Sequence, residues 1–332
     1  MSAAPAPTLL TGATGFVGSA VARALNGRGH ALRMLVRPTS DRRLIEGLGD
    51  AVVGDLKDPA SLVAAVQGCR YLVHVAADYR LWVPDPAPMM QANVAGARAL
   101  LVAAHEAGVE RIVYCSSVAA LGLVGDGTPG TEDTPVRPES IAGVYKQSKY
   151  LAEQAVRALA RDGVPVVIVN PAAPVGPRDI RPTPTGKMVL DAAAGRMPAY
   201  LDTGLNIVHV DDVAMGHVLA LERGRAGEAY ILGGEDLAMP SLLAMIDDVM
   251  GRPTARRLRI PNAALYPVAL GMEAAARAFK LEPLVTREML AMAKKLMYFS
   301  SAKAERELGY TARPAREAFA DAIAWFREQG RL

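Results

Sequence analysis

Thr8-Leu9-Leu10-Thr11-Gly12-Ala13-Thr14-Gly15-Phe16-Val17-Gly18 decides how this chain is read. The first four residues make a short buried strand, and Ser19 to Leu25 continues as an alanine-rich helix ending at Asn26-Gly27. Three glycines at three-residue intervals stand between them. Glycine lets the backbone turn tightly and approach a ligand, while the free N–H groups and positive dipole end of the next helix face an anion. The stretch predicts a dinucleotide phosphate cradle made by Gly12, Thr14, Gly15, Phe16 and Val17. Its spacing, G-x-x-G-x-x-G, departs from the commoner G-x-G-x-x-G.

Outward from this unit, strands and helices alternate. A second strand, Ala31 to Val36, ends in Arg37, where an acidic residue would accept from a ribose 2′-hydroxyl but a guanidinium can pair with a 2′-phosphate. NADP is therefore favoured, with NAD still admissible. A third strand, Ala51 to Gly54, brings Asp55-Leu56 to the adenine side, and Asp58-Pro59 opens a helix as cap and first position. The fourth, Tyr71 to Ala77, ends in Ala76 and Ala77, small enough for ribose and phosphates to lie close. The loop Asp78-Tyr79-Arg80-Leu81-Trp82 then offers Tyr79 and Trp82 to a substrate, since ligands sit at the carboxyl edge of an open α/β sheet. A helix over 88–106 carries Asn93, and the fifth strand, Arg111 to Cys115, ends in Ser116-Ser117.

Tyr145-Lys146-Gln147-Ser148-Lys149 lies on the helix predicted for 141–161. Tyr145 and Lys149 are four residues apart and so leave the same face. An ammonium beside a phenol favours the phenolate and draws its pKa below the usual value of about 10, making Tyr145 a proton donor and acceptor. A serine hydroxyl at the end of the fifth strand can bond the substrate oxygen that Tyr145 protonates.

The sixth strand, Val164 to Asn170, precedes Pro171 to Gly176, whose backbone, Pro171 and Val175 included, should pass beside the nicotinamide. The Pro-rich stretch from Arg178 to Gly186 is too polar for core and marks the crossing into a second region; Arg178, Arg181 and Lys187 are candidate substrate-anion contacts. Val208 to Val213 runs from a strand into a helix capped by an aspartate, and Ala229 to Leu232 is a further strand. From Ser241 onward the pattern is mostly helical, including a helix from Thr286 to Met297. The expected architecture is α/β: a Rossmann-type doubly wound parallel sheet over 1–176, with a loose tail at 1–7, and a smaller, mostly helical substrate region over 177–332. Segments at about 205–232 should return to the first domain.

Composition narrows the rest. Net charge is +3, from 37 basic against 34 acidic residues with no long basic run, which leaves no nucleic-acid footprint and points to small-molecule substrates. Cys69 and Cys115 sit in apolar segments as free thiols, which suits a reducing cytoplasm. Met1 to Pro7 has no signal-peptide pattern, and no run approaches the ~18 apolar residues of a membrane span. His209 and His217 are too few for a metal site, so no metal is expected. Ala263 to Lys280 is apolar enough to meet a membrane surface or a partner subunit, so a homodimer is allowed, but packing on its own domain is the expected use.

Gly12/Gly15/Gly18, Asp55-Leu56, Ser117 and Tyr145/Lys149 stand in the order and at the intervals of extended short-chain dehydrogenases/reductases, which the chain resembles over nearly its whole length. The resemblance implies that Ser117, Tyr145 and Lys149 act as a catalytic unit and that Lys149 and Tyr145 also contact the cofactor. Ser117 is preferred to Ser116 because the family's hydroxyl lies five residues before a glycine, here Gly122. The stretches LVRPTSDRR, HVAADYRLWVPDP, NPAAPVGPRDIRPTPTG, GRMPAYLDTGLNIVHVDDVA and FSSAKAERELGY resemble the hopanoid-associated sugar epimerase proteins, and dihydroflavonol reductases look like more distant neighbours. The first resemblance implies a sugar epimerase linked to hopanoid biosynthesis, with Asn170 on the substrate as in nucleotide-sugar epimerases. The second implies an NADPH-dependent carbonyl reductase. Sugar 4,6-dehydratases are set aside because Val118 and Ala119 occupy their acid and base positions. A non-catalytic dinucleotide sensor would have no use for Tyr145.

Overall fold

The structure is a computed structural model that describes residues 6–80, 83–137, 141, 143–279, 287, 290 and 295–332. The first half runs β1 (Thr8–Thr11), α1 (Phe16–Gly27), β2 (Leu32–Val36), β3 (Asp50–Val53), α2 (Pro59–Val66), β4 (Tyr71–His74), α3 (Ala87–Met90), a π-helical turn (Gln91–Gly96), α4 (Ala97–Glu106), β5 (Arg111–Cys115), α5 (Val144–Arg161) and β6 (Val166–Pro171). The second half runs β7 (Ala173–Val175), α6 (Pro184–Ala193), β8 (Ala199–Leu201), β9 (Gly204–His209), α7 (Val210–Arg223), β10 (Ala229–Leu232), β11 (Glu235–Ala238), α8 (Met239–Val249), β12 (Leu258–Ile260), α9 (Asn262–Phe279), β13 (Leu296–Met297), α10 (Ala302–Leu308) and α11 (Ala315–Glu328).

Seven strands form one parallel sheet in the order β10-β6-β5-β4-β1-β2-β3. Parallel strands need helical crossovers, and these cover both faces, so strand residues are buried on both sides. In β1, Leu10 joins the layer containing Val21 and Leu25 of α1 and Val213 of α7, while Leu9 joins that of Leu62, Leu100 and Val156. The order reverses between β1 and β4, and a doubly wound sheet opens its ligand crevice at that switch point.

A second lobe packs α6, α8 and α11 around Val189, Leu242, Ile246, Phe319 and Phe326. It carries two small sheets: β9 pairs with β7, β11 and β13, and β8 pairs with β12. Within 205–232, α7 and β10 build onto the main sheet, whereas β9 belongs to the second lobe. Two local expectations change. Leu296–Met297 is a strand paired with Gly204–Leu205 and not the end of a helix, because the edge of β9 offers its backbone a ladder. The cap of α7 is the His209 ring, whose Nδ1 accepts from the Asp211 N–H at 3.0 Å; Asp212 is instead committed to Arg313 at 2.8 Å.

Gly18 fixes how closely α1 approaches β1, since a Cβ there would lie 1.9 Å from the Gly12 carbonyl oxygen. Gly18→Ala is expected to cost about 1–3 kcal/mol, because backbone has to move to admit it. Urea unfolding checks this; an unchanged midpoint would contradict it.

Candidate functional site

The switch point is built by contact between backbones. Gly12 has φ +75°, and a Cβ on it would sit 2.6 Å from the Ala76 nitrogen. Only glycine combines that conformation with that approach. Thr11 Oγ1 accepts from the Ala76 N–H at 3.2 Å and lies 2.6 Å from His74 Nδ1, tying the ends of β1 and β4 together. His74 is buried, and burial, aided by the charge of Lys149, pushes its pKa down to about 3, so it is neutral. At the start of α1, Gly15 gives no side-chain cap and the first turn holds no acidic residue, so its N–H groups face outward unneutralised. The uncapped helix end fits a pyrophosphate, flanked by half-buried Thr14, Phe16 and Val17. Beyond β2 the Arg37 guanidinium is exposed, its backbone N–H held by Ser40 Oγ at 3.1 Å. Asp55 is half-buried, its edge held by the Ser61 hydroxyl and by Lys57 N–H donation to Oδ1 at 2.9 Å.

Across the crevice, α5 presents Tyr145 and Lys149 to the end of β5. Tyr145 and Ser117 are hydrogen-bonded side chain to side chain, and Ser117 Oγ also accepts from the Ala119 N–H at 3.1 Å. Ser116 points into the core and donates to Glu153 at 2.6 Å, so Ser117 is the serine that meets the phenol. The expected depression of the Tyr145 pKa is absent here. Burial pushes it up to about 12, and the Ser117 bond offsets only part of that. Lys149 does not reach for the phenol; its Nζ donates to the Cys115 carbonyl at 3.1 Å. Burial lowers the Lys149 pKa, and Cys115 and Glu153 oppose that shift.

Beneath these groups lies a buried network that motif reading misses. Glu153 Oε2 accepts from Ser116 and from Asn170 Nδ2, at 2.6 and 2.7 Å, while Oε1 accepts from Arg157 Nη2 at 2.7 Å. Asn93 lies in the π-helical turn; its amide exchanges both hydrogen bonds with the Asp78 backbone at 2.8 Å and donates to Ser148 Oγ at 3.0 Å. Ser148 in turn donates to the Tyr145 carbonyl at 2.8 Å, so the loop after β4 is pinned to the helix that carries the phenol. Glu153 repeats the four-residue step from Lys149, and that periodicity was its only signal.

The substrate side departs further from expectation. Tyr79 is 46% exposed at the carboxyl edge, but Trp82 lies outside the described residues. Asn170 is wholly buried; its amide nitrogen also donates to the Ser117 carbonyl at 3.1 Å, while its Oδ1 has no hydrogen-bond partner among the described residues. Arg178, which has φ +74°, is tied to Asp211, and Lys187 is paired with Asp191 at 2.6 Å on its own helix. Arg181 is exposed and acts electrostatically on Tyr79. Ala76 and Ala77 are half-buried beside the cradle, whereas the Pro171 and Val175 side chains are buried, leaving only their backbone to a ligand. His217 is buried against the Val213 carbonyl at 2.8 Å, and no metal-holding cluster occurs among the described residues.

This geometry sets a tyrosine, a serine and a buried lysine at the crevice of a doubly wound sheet. A family model described as the NAD dependent epimerase/dehydratase family matches residues 8–233. The Synechocystis sp. protein bearing the name dihydroflavonol 4-reductase is 41% identical, over 97% of this chain and 94% of its own. Sterol demethylase protein B of Methylococcus capsulatus is 36% identical, over 98% and 99% respectively. The crystal structure of gox2253 superimposes with a TM-score of 0.88 at 62% identity, covering 98% of this chain and 99% of that one. The chain belongs to the NAD-dependent epimerase/dehydratase family of extended short-chain dehydrogenases/reductases, and it is an NAD(P)-dependent enzyme.

Asp179 gives a pH-dependent prediction. It is buried, accepting from Thr183 N and Oγ1 at 2.8 and 2.9 Å, and burial raises its pKa from 3.8 to about 6. A raised carboxyl pKa stabilises the folded state fully below the unfolded value, and that contribution is lost as pH rises through the folded one. Asp179→Asn should therefore gain up to about 3 kcal/mol over the parent above pH 6 and almost nothing near pH 4. Equal gains at both pH values would contradict the assignment.

Proposed function

We propose that the protein reduces a carbonyl group on a largely apolar substrate with NADPH. When bound, the cofactor supplies a hydride to the carbonyl carbon. Ser117 Oγ orients the carbonyl oxygen, and Tyr145 gives that oxygen its phenolic proton, which burial keeps in place at neutral pH. The ammonium of Lys149, one turn further along α5, steadies the phenolate until solvent returns a proton.

The pairing of Arg178 with Asp211 carries this reading. A nucleoside diphosphate needs cationic clamps, yet Lys187, Arg196, Arg252, Arg257 and Arg259 are likewise committed to carboxylates. Among the described residues of that region, exposed Arg181, beside Tyr79, and exposed Arg256 are in no ion pair. Arg37, placed for a 2′-phosphate, suits a cofactor that is recycled after each reduction. The second reading is an epimerase acting on a sugar-like group in hopanoid side-chain metabolism. The family description favours it, and the same three residues would serve by returning the hydride to the opposite face. With Cys69 and Cys115 free and buried, we place the enzyme in the cytoplasm.

Purified enzyme given NADPH and a panel of aldehydes and ketones should consume the cofactor in step with product. Tightly retained cofactor with no net consumption would favour epimerisation. Tyr145→Phe should lower kcat by roughly 10²–10⁴-fold with cofactor affinity kept; turnover at the parent rate would contradict the role. Arg37→Asp should shift preference toward NAD by about tenfold, the equivalent of one lost charged contact of ~1.4 kcal/mol. An unchanged NADP/NAD ratio would remove Arg37 from the cofactor site.

A further inference from the structure

Helix α9 buries the small residues Ala269 and Ala276 and leaves larger apolar side chains outside. A soluble surface helix ordinarily buries its large apolar residues and exposes its charges. Here Glu273 is the charged residue turned inward, 8% exposed and accepting from Arg287 N and Nε at 2.7 and 3.0 Å. Every exposed position from 263 to 274 is Ala, Gly, Pro, Val, Leu or Tyr. Tyr266, Val268 and Leu270 are 49%, 47% and 44% exposed, and Leu258, just before the helix, is 69% exposed. Tyr266 and Leu270 are four residues apart and share a face.

The surrounding charge selects the occupant. Residues 252–295 contain nine Lys and Arg against three Asp and Glu, a net +6, whereas the whole chain is +3, so the remainder carries −3. Among the described residues, Arg252 and Arg257 pair with Asp247, Arg259 with Asp202, and Arg287 with Glu273, while Arg256 is exposed and in no ion pair. By sequence the stretch is basic. An apolar helix face within a basic stretch complements anionic headgroups over an acyl boundary, and a tyrosine suits that boundary. Among the described residues no helix is long and apolar enough to cross a membrane, so contact would lie in the plane of the surface.

We infer that α9 docks the enzyme on an anionic lipid surface through the face that carries Tyr266 and Leu270. This holds whether the reaction is reduction or epimerisation.

Flotation with vesicles of phosphatidylcholine, alone or mixed with phosphatidylglycerol, tests it. The full-length protein should float several-fold more on the anionic vesicles and lose most of that gain at about 1 M salt, where the Debye length falls to ~3 Å. Leu270→Glu and, separately, Ala274→Glu should each reduce the bound fraction about tenfold, the one charge that each places at a lipid boundary costing at least the ~1.4 kcal/mol that a factor of ten represents. Unfolding midpoint and turnover of a water-soluble aldehyde should stay at parent values. Three results would overturn the inference: no flotation on either vesicle, flotation unaffected by both variants, or a dimer in light scattering that Leu270→Glu dissociates while vesicles bind nothing. The last would assign the face to a second copy of the chain.

Discussion

The site depends on one buried carboxylate. Glu153 is 2% exposed, and leaving a charge there unpaired would cost several kcal/mol. Both of its oxygens are occupied: one by Ser116 and Asn170 at the ends of β5 and β6, the other by Arg157 on the next turn of α5. The carboxylate thus fastens α5 to the two strands whose ends carry Ser117 and the backbone beside it. Glu153, Lys149 and Tyr145 follow one another at four-residue steps along one face, so fixing the first sets the azimuth of the other two.

The same residue acts electrostatically. Burial pushes Tyr145 up and Lys149 down, each toward its neutral form, yet proton transfer needs a cation near the phenolate. Glu153 favours the protonated form of Lys149 from below, while His74 and His217, both neutral in the core, add no competing positive charge. Lock and counter-charge come from one side chain because the low-dielectric layer that makes the lock strong also lets its charge reach Lys149.

Much of this was legible in the sequence where the signal is local. The glycine turn, the Asp58 cap of α2 and the Tyr145/Lys149 step declare themselves within a few residues, and the parallel sheet follows from the alternation of strands and helices. Partners far apart in the chain were not legible. Asn170 at the end of a strand reads as a ligand contact, but its nitrogen bonds Glu153, seventeen residues earlier, and the Ser117 carbonyl. Arg178 reads as a free cation until the fold brings Asp211 to it. Glu153 carries no sequence signal beyond its four-residue step from Lys149, because nothing in the sequence says which side of α5 is buried deepest. The apolar run of α9 reads as packing on its own domain, and the fold buries Ala269, Ala276 and Glu273 while Tyr266, Val268 and Leu270 stay exposed.

Those misplaced cations bear on chemistry. Arg178 and Lys187 hold carboxylates of their own chain, and it is on this that we propose an uncharged carbonyl substrate. The most direct test follows the hydride itself. With NADPH deuterated at nicotinamide C4, on one face and then on the other, the account predicts that one of the two labels appears quantitatively on the new carbinol carbon of the released alcohol. Absence of deuterium from the product, with label and oxidation state of the cofactor unchanged after turnover, would contradict it.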